Sequence, residues 1–161
     1  MVLTALNSLT LTNPSLAFDT QNKIIFRRPD APRRPGKVSI ITGGGSGHEP
    51  AFAGFVGKGF CDASVAGTIF ASPSAEQIRR AAIDRVPTDA GVLILPNNYT
   101  GDVLNFGMAA EKCRAAGIRT EFFASNDDVG VGREKGGKVG RRGIAGGVLI
   151  LKMTGALAEA G

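Results

Sequence analysis

Lys37-Val38-Ser39-Ile40-Ile41-Thr42-Gly43-Gly44-Gly45-Ser46-Gly47-His48-Glu49-Pro50 is the stretch on which the fold turns. Residues 37–41 read as a buried strand, because an apolar run this short, closed by glycine, fits a sheet covered on both faces. Four glycines among residues 43–47 free the backbone for positive φ and keep side chains away from whatever approaches it. Pro50 suits a first helical turn, and 51–56 is rich in small residues, so the expectation is strand, glycine turn, helix. The pattern is neither the phosphate loop ending in Gly-Lys-Ser/Thr nor GxGxxG, so a nucleotide site does not follow from it. Two readings stay open: a ligand-binding loop, or a tight turn with a capping histidine.

Upstream, residues 1–22 are rich in Thr, Asn, Ser and Leu, with a turn at Asn13-Pro14. They read as a lead-in arm with little helix of its own, its apolar residues docked on the body. A short strand is expected over 23–28, ended by Pro29, Pro32 and Pro35. Downstream, 62–66 reads as a strand. Ser74 and Gln77 form a capping-box pair opening a helix over 74–85. Val92-Leu93-Ile94-Leu95 is a fully apolar strand ended by Pro96. A helix follows over about 103–116, with Gly117 as its cap, then a strand over 119–124 and a glycine- and lysine-rich loop to Arg142. The segment 143–160 contains Val148-Leu149-Ile150-Leu151, which alone suits a strand, but the apolar and alanine positions that continue it favour a helix. Strands and helices alternating at these lengths predict an α/β fold: a mostly parallel sheet with helices on both faces, ligand loops lying at the carboxyl ends of the strands.

With 161 residues, 43% of them apolar and 20% charged, the chain has the make-up of one domain with a real core, and it need not be a complete protein. No segment approaches the roughly 20 apolar residues of a membrane span, and the N-terminus lacks a secretory pattern; a cytoplasmic protein is expected, with neither membrane nor nucleic acid as partner. Cys61 and Cys113 lack metal-site spacing and read as buried structural thiols. The net charge of +5 gathers in two clusters: Lys23, Arg27, Arg28, Arg33, Arg34 and Lys37, then Arg133, Lys135, Lys138, Arg141 and Arg142. Neither has the interleaved aromatics of a nucleic-acid surface. Solvated loops are the plain reading; an anionic ligand or an acidic partner is the sharper one.

Polar loops follow three expected strands, at 43–49, 97–102 and 125–128, and in an open α/β sheet such loops share one rim. His48, the sole histidine, and Asp102 would meet there as an acid/base pair although 54 positions separate them. The competing reading of Asp102 is an N-cap of the helix it precedes. Asp127 and Asp128 are weak as a metal site; loop capping or a salt link to Arg141 or Arg142 is preferred, and no metal site is assigned. Glu49 either caps the glycine turn or orients His48, and Tyr99 reads as a packing residue.

Seven blocks in order, Gly43-Gly44-Gly45-Ser46-Gly47-His48-Glu49-Pro50, Gly54-Phe55-Val56-Gly57-Lys58-Gly59, Phe70-Ala71-Ser72-Pro73-Ser74, Asn98-Tyr99-Thr100-Gly101-Asp102, Asn105-Phe106-Gly107, Asp127-Asp128-Val129 and Gly140-Arg141-Arg142-Gly143, resemble the dihydroxyacetone kinases. The resemblance runs from about Asn13 to the end. It matches the N-terminal part of the family's dihydroxyacetone-binding region, nearest the single-chain, ATP-dependent fungal type. It implies phosphorylation of a dihydroxyacetone hydroxyl by ATP, with magnesium ions carrying the phosphate charge. By the same resemblance Gly45, Ser46, Gly47 and His48 contact the substrate, His48 serves as acid/base or hydrogen-bonding group, and Asp102 is the base.

Departures from the family pattern accompany it. The family holds its substrate covalently on a second, downstream histidine, and its ATP and Mg2+ belong to a separate helical domain; neither lies in these 161 residues. Asn97 stands where a substrate-contacting lysine is usual, and Phe52 where a histidine is usual. Gly146-Gly147 softens a normally firmer helix. The resemblance implies a first α/β subdomain over 23–161, not catalytic alone, completed by a C-terminal half or a kinase partner and homo-oligomeric in its full-length form. The alternatives are a non-catalytic ketose- or partner-binding module derived from that family, and an unrelated nucleotide-binding domain, for which neither nucleotide signature is present.

Overall fold

A computed structural model describes residues 1–132, 134 and 139–161. Arg133, Lys135 and Lys138 of the second basic cluster lie outside the described residues. Within them the order is α1 (Val2–Thr12), β1 (Leu16–Asp19), β2 (Ile24–Arg27), β3 (Ser39–Ser46), β4 (Ala63–Ile69), α2 (Ala75–Arg80, continued by a π turn at Ala81–Arg85), β5 (Val92–Ile94), α3 (Thr100–Ala115), β6 (Thr120–Phe122) and α4 (Gly146–Ala160). The strands form one sheet in the order β1-β2-β4-β3-β5-β6. Strands β4, β3, β5 and β6 run parallel, and the β1–β2 hairpin is added antiparallel at the β4 edge.

Side chains alternate across this sheet, so strands β2 to β5 each feed the cores on both faces. Ile24, Ile41, Val65 and Ile94 pack with Ile78 and Ala82 of α2 and with Phe106, Ala109 and Cys113 of α3. On the other face Ile25 and Ala66 meet Leu6 of α1, and Ile40, Cys61 and Leu95 meet Leu151 of α4. The mostly parallel three-layer α/β architecture is therefore present, with both cysteines buried as free thiols.

Three expectations need correction. The N-terminal segment does dock on the body, but as helix α1: Val2, Leu6 and Leu9 recur at helical spacing and pack on the sheet, and that packing overrides the weak propensity of its Thr, Ser and Asn residues. The glycine run is strand rather than turn. β3 continues to Ser46, paired with β4 through Gly43↔Val65 and Gly44↔Ala66, with a bulge between Gly44 and Ser46. No helix follows Pro50; a single 3-10 turn forms at Ala53–Phe55, flanked by local bonds such as Gly54 N–H to Pro50 O at 2.8 Å. The remaining elements match closely, including the Ser74–Gln77 capping box, a positive φ of 80° at Gly117 after α3 and a helical α4.

The first basic cluster is also not wholly solvated. Arg27 and Lys37 are buried with Asp62 where the parallel strands begin. Lys37 Nζ donates to both Asp62 carboxylate oxygens at 2.8 Å, and Arg27 reaches Asp62 at 3.2 Å and Glu159 of α4 at 2.7 Å. Asp62 also accepts the Ile40 N–H at 2.9 Å. This network ties α4 to the starts of β3 and β4, at the opposite end of the sheet from the site.

Candidate functional site

A cavity of about 880 Å3 opens at the carboxyl ends of β3, β4 and β5. Five segments enclose it: Gly45 at the end of β3 with His48 just beyond, Phe52 and Phe55 of the 3-10 segment, Phe70 to Ser72 after β4, Asn97 and Tyr99 to Asp102 with Asn105 around the start of α3, and Gly143, Ile144 and Val148 around the start of α4. This is the crevice an open parallel sheet offers to a ligand.

Missing side chains make the crevice possible. A Cβ on Gly43 (φ +153°) would lie 2.2 Å from Val65 O, and one on Gly45 2.8 Å from Ala71 N. The chains therefore approach as only glycine permits. Behind the strand, the Ser46 hydroxyl donates to Gly67 O at 3.1 Å, and Gly47 (φ +110°) leaves room for the Phe70 ring.

Asp102 lies inside the first turn of α3, whose N-cap is Tyr99, so it is not the cap. The helix begins at Thr100, earlier than expected, and this carries Asp102 inward until it is 7% exposed. Its Oδ1 is buried without a hydrogen-bond partner among the described residues. Burial raises its pKa, while the Ser72 hydroxyl and the charge of His48 pull it back toward ionisation. A largely buried carboxylate in the first turn of a helix, on a residue that lines an open cavity, is equipped to accept a proton or a hydrogen bond from a hydroxyl.

His48 is exposed and stands among aromatic rings. Its ring centroid lies 5.5 Å from that of Phe70 and 6.2 Å from that of Phe52. Glu49 turns back to accept the Gly47 N–H at 3.1 Å, so it caps the turn.

The third polar loop buttresses the cavity without lining it. Ser125 donates to Asn97 Oδ1 at 2.6 Å. Asp127 accepts the backbone N–H groups of Ile144 at 2.8 Å and Gly146 at 2.7 Å, and Asp128 pairs with Arg142 at 2.8 Å, as the capping and salt-link reading anticipates. Gly146 and Gly147 open α4 where it meets these loops. A Cβ on Gly146 would lie 2.6 Å from the Asp127 carboxyl, and one on Gly147 2.3 Å from Asn97 Oδ1, so both glycines let α4 close onto these loops.

Of the six candidate residues, Gly45, His48, Asn97 and Asp102 share the cavity, whereas Ser46 and Gly47 shape its wall from behind. Sequence reasoning passed over the lining residues Phe70, Ser72 and Asn105 and took Tyr99 for a packing residue, whereas it is 43% exposed and lines the cavity. All four lie in blocks of the family resemblance, but Phe70, Ser72 and Asn105 singly carry no chemical signature. Among the described residues no group of three or more His, Cys, Asp or Glu is placed to hold a metal ion. No helix among them is long and apolar enough to cross a membrane.

Comparison with known proteins agrees with this fold. The chain is 50% identical over 158 residues to dihydroxyacetone kinase 1 of Saccharomyces cerevisiae, matching 98% of this chain and 26% of the yeast enzyme. It is 50% identical over 129 residues to the dihydroxyacetone-binding subunit DhaK of a PTS-dependent kinase from Listeria innocua, matching 80% of this chain and 39% of that subunit. A solved dihydroxyacetone kinase from C. freundii, in complex with AMP-PNP and Mg2+, superposes with a TM-score of 0.86 at 40% identity, covering 99% of this chain and 29% of the kinase. The chain thus spans about a quarter of the length of the single-chain kinases it matches. The Dak1 domain model matches residues 7–161, and with it the chain belongs to the Dak1 family of dihydroxyacetone kinases.

Proposed function

We propose that this chain is the substrate-binding part of a dihydroxyacetone kinase and holds a small ketose in the cavity between His48 and Asp102. The observation that carries the reading is the buried Asp102 carboxylate, with its unpartnered oxygen, in the cavity that His48 also lines. The names of the Listeria and yeast relatives supply the ligand: the first is a dihydroxyacetone-binding subunit and the second a dihydroxyacetone kinase.

In this reading one substrate hydroxyl donates its hydrogen bond to Asp102. As that oxygen becomes the nucleophile toward a phosphoryl donor, its proton passes to the carboxylate, which burial has already made more basic. His48 hydrogen-bonds the substrate across the cavity, and Gly45 lets the backbone approach it closely. Asn97, fixed by Ser125, presents its amide to the remaining polar atoms. ATP and Mg2+ act from outside these residues, as the AMP-PNP and Mg2+ complex of the C. freundii enzyme suggests for the longer proteins. The chain is soluble and cytoplasmic in this account, and turnover requires the remaining parts of a kinase.

Calorimetric titration of the chain with dihydroxyacetone, and separately with ATP, tests the reading. Saturable heat with dihydroxyacetone, lost in Asp102→Ala, is expected. Binding of ATP with no response to dihydroxyacetone would overturn it.

A further inference from the structure

Phe70 stands in a conformation that its own chemistry does not explain. Its backbone φ is +52°, in the left-handed region that a bulky aromatic residue rarely enters and that glycine or asparagine occupies with less strain. Burial is the ordinary return for such strain, yet among the described residues the side chain is 74% exposed. Strain kept without that return gathers at functional sites, and Phe70 lines the cavity.

Its surroundings give the ring a task. Ser46 pairs with Ile69 at the ends of β3 and β4, and the Phe70 N–H donates to Ser46 O at 2.8 Å. A Cβ on Gly45 would lie 2.8 Å from Ala71 N and 3.0 Å from the Phe70 carbonyl carbon, so this turn presses directly on the strand that delivers His48. One on Gly47, between Ser46 and His48, would lie 3.0 Å from the Phe70 ring. Ring and imidazole therefore hang from one pair of strand ends. Their centroids are 5.5 Å apart, and the Phe52 ring makes a T-shaped contact with the imidazole at 6.2 Å, both within the range of aromatic pairs. Neither phenylalanine side chain has a polar atom, so the two restrict how the imidazole turns without competing for its nitrogens.

We propose that Phe70 is a positioning residue for His48: its ring, with that of Phe52, holds the imidazole turned into the cavity, where a ring nitrogen meets a polar atom of the substrate. This rests on reading the cavity as a ketose site. Phe70 then acts on ketose affinity and turnover through His48, and it is kept at the expense of the backbone rather than for the stability of the fold.

The test is a double-mutant cycle in the native-length gene product, with Phe70→Gly and His48→Ala made singly and together and read by dihydroxyacetone titration, kcat, KM and thermal melting. Phe70→Gly suits the backbone and is expected to melt no lower than the parent while losing about tenfold or more in kcat/KM, the effect of a displaced binding group. Phe70→Tyr, which keeps the ring, is expected to recover most of that loss. Once His48 is alanine, Phe70→Gly is expected to cost nothing further. A glycine variant that melts well below the parent would make the ring a structural element. Unchanged kcat/KM in that variant, a tyrosine variant as impaired as the glycine one, or a loss that persists beside His48→Ala would each equally overturn the proposal, with the ketose site left standing. If His48→Ala and Asp102→Ala both bind dihydroxyacetone as the parent does, the ketose site itself is refuted and the proposal with it.

Discussion

Gly44 and Asp102 stand close together in the wall of the site: a Cβ on Gly44 would lie 3.6 Å from Asp102 Oδ2 and 2.8 Å from the Phe52 ring. The space a side chain would fill is the space that the carboxylate and the aromatic ring use. Gly44→Ala should therefore fold, because the Phe52 ring can shift, but lose stability by about 1–2 kcal/mol through strain at its φ of +159° and local overpacking. Its dihydroxyacetone affinity should fall about tenfold or more, roughly 1.4 kcal/mol. Gly43→Ala should be more damaging, since its Cβ would meet the Val65 backbone at 2.2 Å, whereas Gly57→Ala, with nothing within 4 Å, should be neutral. Thermal melts and ketose titrations of the three variants check the ranking.

Asp102→Asn should separate stability from activity. The carboxylate's pKa is raised by burial, so the folded state holds a proton that the unfolded state has already released. Stability then falls as pH rises from the ordinary aspartate value of 3.8 through the higher folded value. Asparagine removes that slope, and the variant should melt above the parent at neutral pH. In an assembled kinase its turnover should drop by roughly 10^2-fold or more, the scale of a lost general base. Turnover near the parent's would refute the role given to Asp102.

The sequence made the sheet and the rim legible because apolar strands and their breakers are local signals. The run at 92–95 and the capping pair Ser74–Gln77 are where they were expected. What it hid depends on tertiary contact. Gly43 to Ser46 look like a turn, yet pairing with Val65 and Ala66 of β4 makes them strand. Thr, Ser and Asn masked α1, whose stability comes from packing of Leu6 rather than from propensity. His48 and Asp102 can be placed on one rim because both follow strands, and both line the cavity. Phe70, 74% exposed at a φ of +52°, was not, because nothing in a single phenylalanine announces that it will stand over a histidine.

The buried ion network should be fragile to truncation of its centre. Asp62→Ala leaves Arg27 and Lys37 buried with Glu159 as their remaining carboxylate partner. The expected cost is about 3–5 kcal/mol, the scale of a buried charge pair broken from one side. Glu159 adds a pH dependence. Burial would raise its pKa, but hydrogen bonds and charge from Arg27 and Lys37 hold it below the ordinary value of 4.5. Its contribution is present above that value and fades as pH falls through the lower folded one. Glu159→Gln should flatten the acid limb of a stability-against-pH curve, and an unchanged limb would show that the coupling is not felt.

Asp127 should link helix stability to ligand affinity. Its carboxylate accepts two backbone N–H groups at the entry to α4, from Ile144 and Gly146. Those bonds hold its pKa below the ordinary aspartate value, the Ile144 bond being the larger cause. Asp127→Ala should cost about 1 kcal/mol, in the manner of a lost helix cap. The loss should vanish in acid, because the stabilisation is present above the unfolded pKa and disappears as pH falls through the folded one. Ile144 and Val148 line the cavity next to this cap, so fraying there should also weaken ketose binding several-fold at neutral pH. Asp127→Asn, which keeps one acceptor oxygen, should recover part of both losses. Melting curves and ketose titrations at neutral and acid pH distinguish this from a purely local effect, which would lower the melting temperature and leave affinity unchanged.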